Sequence, residues 1–186
     1  PIGAHARLFN YPAFSSQKSN ASIAELGLKT CFISNSFAAY RLSDLKAVSG
    51  FPDNVILGED AFVAGRLVIA GKKIAYVADA CVYHSHDYSV MEEFRRYFDT
   101  GVFHAQQPWI AEYFGGATGE GKRFVLSELK YLIRYAPLLV PLAVIRTFMK
   151  LLGYRLGGAY ARLPKSWLPK LSMHKGFWLQ RKSIDD

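Results

Sequence analysis

The chain changes character at Lys122, and this change constrains its fold more than any other feature. The first 121 residues carry 10 Lys and Arg against 12 Asp and Glu, a balance of −2, whereas residues 122–186 carry 13 against 3, a balance of +10. Pro108 and a cluster of glycines fall in residues 106–122, a composition typical of a linker. We therefore predict a first domain over residues 1–105, a linker over residues 106–122 and a basic tail over residues 123–186.

The basic tail has the periodicity of helices. Apolar residues from Val125 to Val144 recur at helical spacing and form a broad stripe. The longest uncharged run lies between Arg134 and Arg146 and spans 11 residues, whereas a helical bilayer crossing needs about 20. We predict amphipathic helices on an anionic membrane surface. Ordinary helices packed on the first domain are the alternative.

The residues between the basic side chains of the tail distinguish two classes of partner. They are largely Leu, Val, Ile, Phe and Trp, which favours lipid over nucleic acid. The slightly acidic first 121 residues also argue against a nucleic-acid binder. The first residues after Pro1 resemble the middle of a polypeptide, so we expect the chain to be a fragment. Cys31 and Cys81 lie in apolar runs and are expected to be buried thiols.

The first 105 residues combine short apolar runs with helical patterns, which predicts an α/β fold. Ser89, with Glu92 three residues later, predicts a capped helix start. The predicted strands cover residues 30–34, 37–41, 74–77 and 80–84, and the predicted helices cover residues 43–48, 59–70 and 89–103.

The sequence Gly58-Glu59-Asp60 follows an apolar run and opens a predicted helix. Acidic residues in a first turn complement the helix dipole, which is one interpretation of this pair. A carboxylate in a cleft can instead take the proton of an attacking alcohol. Adjacent helical residues do not share a face, so the two carboxylates are not expected to act as a paired acid and base.

His84 and His86 alternate, so in a strand they would lie on one face. Two imidazoles, or one with a carboxylate, can bind a divalent metal; polar residues at a sheet edge are the alternative. Farther on, Glu93 and Arg96 lie three apart on a predicted helix and could form an ion pair. Alternatively, Arg95 or Arg96 receives a diphosphate, because guanidinium groups bind phosphate through paired hydrogen bonds.

Several stretches follow one another in a specific order: residues 32–41, Gly50-Phe51, Gly58-Glu59-Asp60 with Arg66 and Gly71, residues 74–80, and His84-Ser85-His86. In this order they resemble the acceptor half of a family 2 glycosyltransferase with the GT-A fold. Residues 7–12, residues 97–101 and Phe103-His104 are similar to bacterial rhamnosyltransferases of surface polysaccharide synthesis. The resemblance covers about residues 5–105.

The resemblance implies the C-terminal part of a GT-A mixed sheet flanked by helices and followed by amphipathic helices. It implies that Asp60 is the catalytic base, and that Glu59, Asn35 and Arg41 bind the acceptor.

The resemblance also implies that His84 ligates a divalent cation, Mg²⁺ or Mn²⁺, and that Arg95 and Arg96 contact the diphosphate. The family's nucleotide-binding half, with its Asp-x-Asp motif, has no counterpart in this sequence. We therefore expect this chain to be inactive alone.

The predicted function is inverting transfer of L-rhamnose from dTDP-L-rhamnose to a lipid-linked or polysaccharide acceptor. The predicted location is peripheral, on the cytoplasmic face of the bacterial inner membrane. A hexosyl or galactofuranosyl donor and a non-catalytic module on the membrane surface remain alternatives.

Overall fold

A computed structural model describes residues 2–84, 88–116 and 118–185, and within them the chain is mostly helical. Two short strands, β1 (Ser16–Lys18) and β2 (Ile74–Tyr76), accompany the helices. The α-helices are α1 (Ile2–Asn10), α2 (Ile23–Leu26), α3 (Leu42–Ala47), α4 (Glu59–Ile69), α5 (Val90–Gln106), α6 (Pro108–Phe114), α7 (Thr118–Tyr135), α8 (Val140–Gly158), α9 (Leu168–Leu171) and α10 (Lys175–Asp185).

The two strands pair antiparallel, with Ser16 opposite Tyr76 and Lys18 opposite Ile74. The Tyr76 hydroxyl donates to the Pro12 carbonyl at 2.8 Å and holds the chain ahead of β1 against β2. The strand predicted over residues 74–77 is therefore confirmed. The described residues form no mixed GT-A sheet. The α/β prediction holds only in the coarse sense that helices and a small sheet occur together.

The strands predicted over residues 30–34, 37–41 and 80–84 are wrong. Gly27–Cys31 and Asn35–Phe37 are 3-10 helices instead. The Ser34 side chain accepts a hydrogen bond from the Ser36 backbone N–H, a local bond that competes with strand pairing. Residues 80–84 lie at the surface without a strand partner, and Cys81 is exposed rather than buried.

The first of two compact units comprises the described parts of residues 1–54, 58–86 and 109–137. Its core includes Val63, Ala64 and Val68 of α4, all fully buried. A Cβ at Gly65 would lie 3.0 Å from the Trp109 ring, a contact tighter than usual, so α4 and α6 approach closely at this glycine.

The second unit comprises the described parts of residues 55–57, 87–108 and 138–186. Its main contact is between α5 and α8. Glycines let the two backbones touch, since a Cβ at Gly101, Gly153 or Gly157 would collide with backbone atoms of the facing helix. Phe98 and Val102 of α5 are fully buried in this unit.

Each unit contains segments from both sides of residues 106–122, and the domain division predicted at residues 105 and 122 stays a prediction. Residues 106–122, the predicted linker, contain α6, whose Ile110 and Phe114 are buried. The tail is helical in its described part, from α7 to α10. Its segment Pro137–Gly158 is long and apolar enough to cross a membrane by length and composition.

Candidate functional site

The candidate site begins at a glycine whose backbone has the left-handed conformation. Gly58 precedes α4 with φ of 78°, a conformation that side-chain-bearing residues rarely adopt. The turn places Glu59 and Asp60 in the first turn of α4, as predicted. Because the first backbone N–H groups of a helix have no partner within it, this turn is an electropositive place for two carboxylates.

Asn35 connects the preceding 3-10 helix to these carboxylates. Its backbone N–H donates to Asp60 Oδ2 at 3.4 Å, and its side-chain Nδ2 donates to Glu59 Oε1 at 3.4 Å. Both hydrogen bonds are long, so they orient the carboxylates without fully neutralising them. The other oxygen of Asp60, Oδ1, accepts from the Ala61 backbone N–H at 2.7 Å.

Tyr40 fixes the orientation of Asn35, a contact that the sequence did not reveal. Its hydroxyl donates to Asn35 Oδ1 at 2.7 Å, which leaves the amide Nδ2 directed at Glu59. Burial, together with the negative charges of Asp60 and Glu59, raises the pKa of Tyr40 to about 12. Tyr40 therefore stays protonated, and remains a donor, at any physiological pH.

Asp60 has the electrostatic character of a proton acceptor. Burial raises the pKa of its carboxyl above the usual aspartate value, and the Glu59 charge adds to the rise. Hydrogen bonds from the backbone N–H groups of Ala61 and Asn35 act in the opposite direction but are outweighed. Among the described residues, no Lys, Arg or His forms an ion pair with Asp60. A partly buried carboxylate with raised basicity can accept a proton from an alcohol.

The two arginines predicted or noted near this site occupy different places. Arg41 is exposed, and its Nε lies 4.0 Å from Asp44 Oδ2. Its acceptor-binding role stays a prediction. Arg66 lies 6.0 Å from the Phe62 ring centroid. It also lines a shallow pocket of about 330 Å³ with Trp109 and Tyr113.

The predicted metal ligand His84 is exposed, and its backbone carbonyl accepts from Arg7 Nη2 at 2.6 Å. In the described part of the chain, no three His, Cys, Asp or Glu side chains are grouped so that they could hold a metal ion. Ser85 and His86 lie outside the described residues. These residues do not by themselves fit a divalent cation, and the role of His84 stays a prediction.

Arg95 and Arg96, the predicted diphosphate contacts, lie on α5 in the second unit. Arg96 stacks on the Tyr88 ring at 5.7 Å, and the Nε of Arg95 is buried without a hydrogen-bond partner among the described residues. The Glu93–Arg96 ion pair is not formed. Glu93 Oε1 lies instead 3.4 Å from Arg146 and 3.3 Å from Lys150, both on α8.

Sequence reasoning also missed a buried aspartate in the second unit. Asp99 is fully buried, and its Oδ2 accepts from the backbone N–H groups of Met173 and His174 at 3.0 and 3.2 Å. The same oxygen lies 2.9 Å from His174 Nδ1. Nothing in the local pattern indicated it, because the partners lie 74 and 75 positions away.

Comparison with known proteins gives two curated relatives. The chain is 54% identical over 178 residues to the O-antigen chain rhamnosyltransferase RfbN of Salmonella typhimurium. It is 53% identical over 178 residues to the O-antigen chain rhamnosyltransferase WbaN of Salmonella anatum. Each alignment covers 96% of this chain.

The chain spans only 57% of the length of the first relative and 56% of the second. No protein-family model matches the chain, and no solved structure matches it. At this identity over nearly all of its length, the chain is homologous to a little over half of these O-antigen rhamnosyltransferases.

Proposed function

We propose that this chain is the acceptor-side part of an inverting rhamnosyltransferase of O-antigen synthesis, of glycosyltransferase family 2 and the GT-A class. The observation that carries the proposal is the Asp60 carboxylate, which has raised basicity and no ion-pair partner in the described chain. It stands in a chain that is 54% identical to a rhamnosyltransferase. The homology supports rhamnose as the transferred sugar, and the Asp60 site supports general-base catalysis.

The proposed reaction is a single displacement. Asp60 accepts the proton of an acceptor hydroxyl as the oxygen attacks the anomeric carbon of rhamnose. The bond from that carbon to the diphosphate breaks, configuration inverts, and dTDP leaves with the bonding electron pair. Glu59, Asn35 and Arg41 hold the acceptor, and Arg95 and Arg96 contact the diphosphate.

A divalent cation remains part of the proposal only as an expectation. His84 would supply one ligand, and the others would come from outside the described residues, because those residues group no metal ligands. Such a cation would neutralise charge on the leaving diphosphate. No step assigned to this chain's residues depends on it.

The test is Asp60→Asn in the complete polypeptide that contains this chain, with dTDP-L-rhamnose and an O-antigen acceptor. Loss of the base lowers kcat by about 10²–10⁴-fold and leaves donor binding unchanged. Asp53→Asn is the matched control, because Asp53 is exposed in the turn ahead of α4. Near wild-type turnover in Asp60→Asn would exclude Asp60 as the base. Faster transfer from a galactofuranosyl or other hexosyl nucleotide would overturn the rhamnosyl assignment.

The pH dependence of the reaction gives a second test. The base must be deprotonated, so activity falls as pH falls through the pKa of Asp60 in the folded protein. Because burial raises that pKa, the acidic limb of kcat/KM is expected above the ordinary aspartate value of 3.8. A limb at or below that value would contradict the assignment.

We also propose that the protein is peripheral, on the cytoplasmic face of the bacterial inner membrane. The positive balance of residues 122–186 supports this location, and the apolar composition of Pro137–Gly158 supports contact with lipid. The competing function is a non-catalytic module at the membrane surface. It predicts membrane binding but unchanged transfer in Asp60→Asn, and the activity assay above distinguishes it from the enzyme.

A further inference from the structure

The outward face of α8 carries no charge over most of its length. Its exposed apolar residues recur at helical spacing: Val144, Ile145, Phe148, Leu151 and Leu152. Leu138, just before the helix, is 93% exposed. An unbroken apolar face of this length on a solvent-exposed helix marks a surface that binds another apolar phase.

Two of the three charged residues of α8, Arg146 and Lys150, interrupt its apolar sequence before Leu152, and both point away from this face. Arg146 and Lys150 have side chains only 20% and 16% exposed, and both lie against Glu93 of α5. Arg146 Nη2 also donates to the Tyr88 carbonyl at 3.1 Å. The short uncharged run of the sequence therefore understates the apolar surface, which extends from Leu138 to Leu152, about 22 Å along a helix.

The packing of α8 on α5 decides how this face can meet a bilayer. Gly153 and Gly157 bring the α8 backbone against the α5 backbone, so the two helices move together. If α8 crossed a bilayer, α5 would also enter the hydrocarbon. The charged side chains of α5 would enter with it: Glu92, Glu93, Arg95, Arg96 and Asp99. Charges at the centre of a bilayer are costly, so α8 cannot span without separating from α5.

The rest of the second unit has the charge that an anionic leaflet attracts. Residues 138–186 carry 9 Lys and Arg against 2 Asp and Glu, a balance of +7. Arg155 continues the outward face one turn beyond Leu151, where its side chain can reach headgroups. Trp167, 54% exposed in the same unit, is the residue type most enriched at membrane interfaces.

We infer that α8 lies in the plane of an anionic phospholipid leaflet, with Ile145 and Phe148 embedded among the acyl chains and α5 held above it. This inference rests on the proposed peripheral location and adds to it the embedded face and its orientation. The Glu93 pairing with Arg146 and Lys150 has a clear role in it, because it keeps the two internal charges of α8 out of the lipid.

Flotation of the complete polypeptide with vesicles tests the embedded face. Vesicles of phosphatidylcholine alone are compared with vesicles of equal parts phosphatidylcholine and phosphatidylglycerol. Ile145→Ser combined with Phe148→Ser is expected to lower the partition coefficient on the anionic vesicles at least about tenfold. Leu8→Ser combined with Phe14→Ser, which replaces two exposed apolar residues of the first unit, is the control and is expected to bind as wild type.

Three outcomes would overturn the inference. Equal flotation of the α8 variant and wild type would show that Ile145 and Phe148 are not embedded in the lipid. Retention of the wild-type protein in membranes after alkaline carbonate extraction shows that α8 spans rather than lies in the plane. A lower unfolding temperature or a smaller sedimenting mass for the α8 variant without lipid shows that protein, from this polypeptide or a second copy, covers the face.

The activity assay keeps this inference separate from the proposed function. Rhamnosyl transfer to a water-soluble acceptor is expected to be unchanged in the α8 variant, since Ile145 and Phe148 are not among the residues assigned to the reaction. Failed flotation of wild type with intact transfer would overturn the membrane face and the peripheral location but not the enzyme assignment, whereas intact flotation with no rhamnosyl transfer by wild type would overturn only the enzyme assignment.

Discussion

The acidic residues of α4 and those of α5 are held in opposite ways. Glu59 and Asp60 receive hydrogen bonds from Asn35 that are both 3.4 Å long, and in the described chain neither forms an ion pair with a basic residue. Glu93 lies within 3.4 Å of two basic side chains, and Asp99 is fully buried with two backbone donors and a histidine. The first pair is held by hydrogen bonds alone, and Asp60 Oδ1 also accepts from the Ala61 backbone N–H at 2.7 Å. The second pair is held through one oxygen each, Glu93 Oε1 and Asp99 Oδ2, by residues far along the chain. The other two oxygens, Glu93 Oε2 and Asp99 Oδ1, are buried without a hydrogen-bond partner in the described chain.

This difference separates carboxylates that can react from carboxylates that hold the fold. A buried acid whose partners come from distant parts of the chain contributes stability, and its removal leaves those partners unsatisfied. A carboxylate with raised basicity and few partners costs stability and is retained for another reason. Stability and activity should therefore respond in opposite ways to substitutions in the two groups.

The largest effect on stability is expected from Asp99→Ala. It removes the acceptor for the Met173 backbone N–H and the partner of the His174 ring, and it leaves the His174 backbone N–H with Ser172 Oγ alone. We expect the free energy of unfolding to fall by about 3–4 kcal/mol. Urea denaturation followed by circular dichroism measures this change. Asp53→Ala, at an exposed position, is the control and is expected to stay within about 0.5 kcal/mol of wild type.

A loss below about 1 kcal/mol in Asp99→Ala would break the comparison, because it would show that the buried acid is not structural. A variant that stays folded but loses rhamnosyl transfer would break it in the other direction. Asp99 would then belong with Asp60, among the residues that act in the reaction.

A somewhat smaller effect is expected from Gly157→Ala in α8. The added Cβ would collide with the backbone of Phe98, and backbone cannot move aside as a side chain can. We expect a loss of about 2–3 kcal/mol, with Glu93 drawn away from Arg146 and Lys150. Thermal unfolding measures this loss, and the unfolding temperature is expected to fall by about 5–10 °C.

The next residue of the same helix provides the matched control. A Cβ at Gly158 meets nothing within 4 Å, so Gly158→Ala is expected to be neutral or to stabilise by up to about 1 kcal/mol through helix propensity. Equal destabilisation by both variants would mean that close backbone contact does not hold α5 and α8 together. The acids of α5 would then need another explanation for their partners.

Local signals in the sequence predicted the elements that depend on neighbouring residues. Ser89 and Glu92 form the predicted capping box, with the Ser89 backbone N–H donating to Glu92 Oε2 at 2.8 Å. The start of α4 at Glu59 was predicted from Gly58 and the acidic pair that follows. The interactions that form these features lie within one helical turn of the chain, so the sequence alone is enough to predict them.

The predictions that failed depended on distant residues. The apolar run over residues 30–34 has strand composition, but residues 27–31 and 35–37 form 3-10 helices, and no described strand pairs with the run. Glu93 does not pair with Arg96 as predicted. It pairs with Arg146, which lies 53 positions later on α8. Within the candidate site, the Glu59–Asp60 pair was found from sequence, whereas the orienting role of Tyr40 required the fold.

The smallest effect on stability, and the sharpest contrast with Asp99, is expected from Asp60→Asn. Because the pKa of Asp60 is raised in the folded protein, the folded state binds its proton more readily than the unfolded state does. Stability from this group therefore falls as pH rises from the ordinary aspartate value through the folded pKa. The asparagine variant lacks this titration. At pH 7 we expect it to equal wild type or to exceed it by no more than about 1 kcal/mol.

The difference in the free energy of unfolding between Asp60→Asn and wild type is expected to disappear as pH falls below about 4, because both side chains are then neutral. Urea denaturation at a series of pH values measures it. A clear loss of stability at pH 7 would place Asp60 with the structural acids of α5. The loss of transfer in the same variant would then have a structural cause, whereas unchanged stability with lost transfer assigns the effect to the missing base.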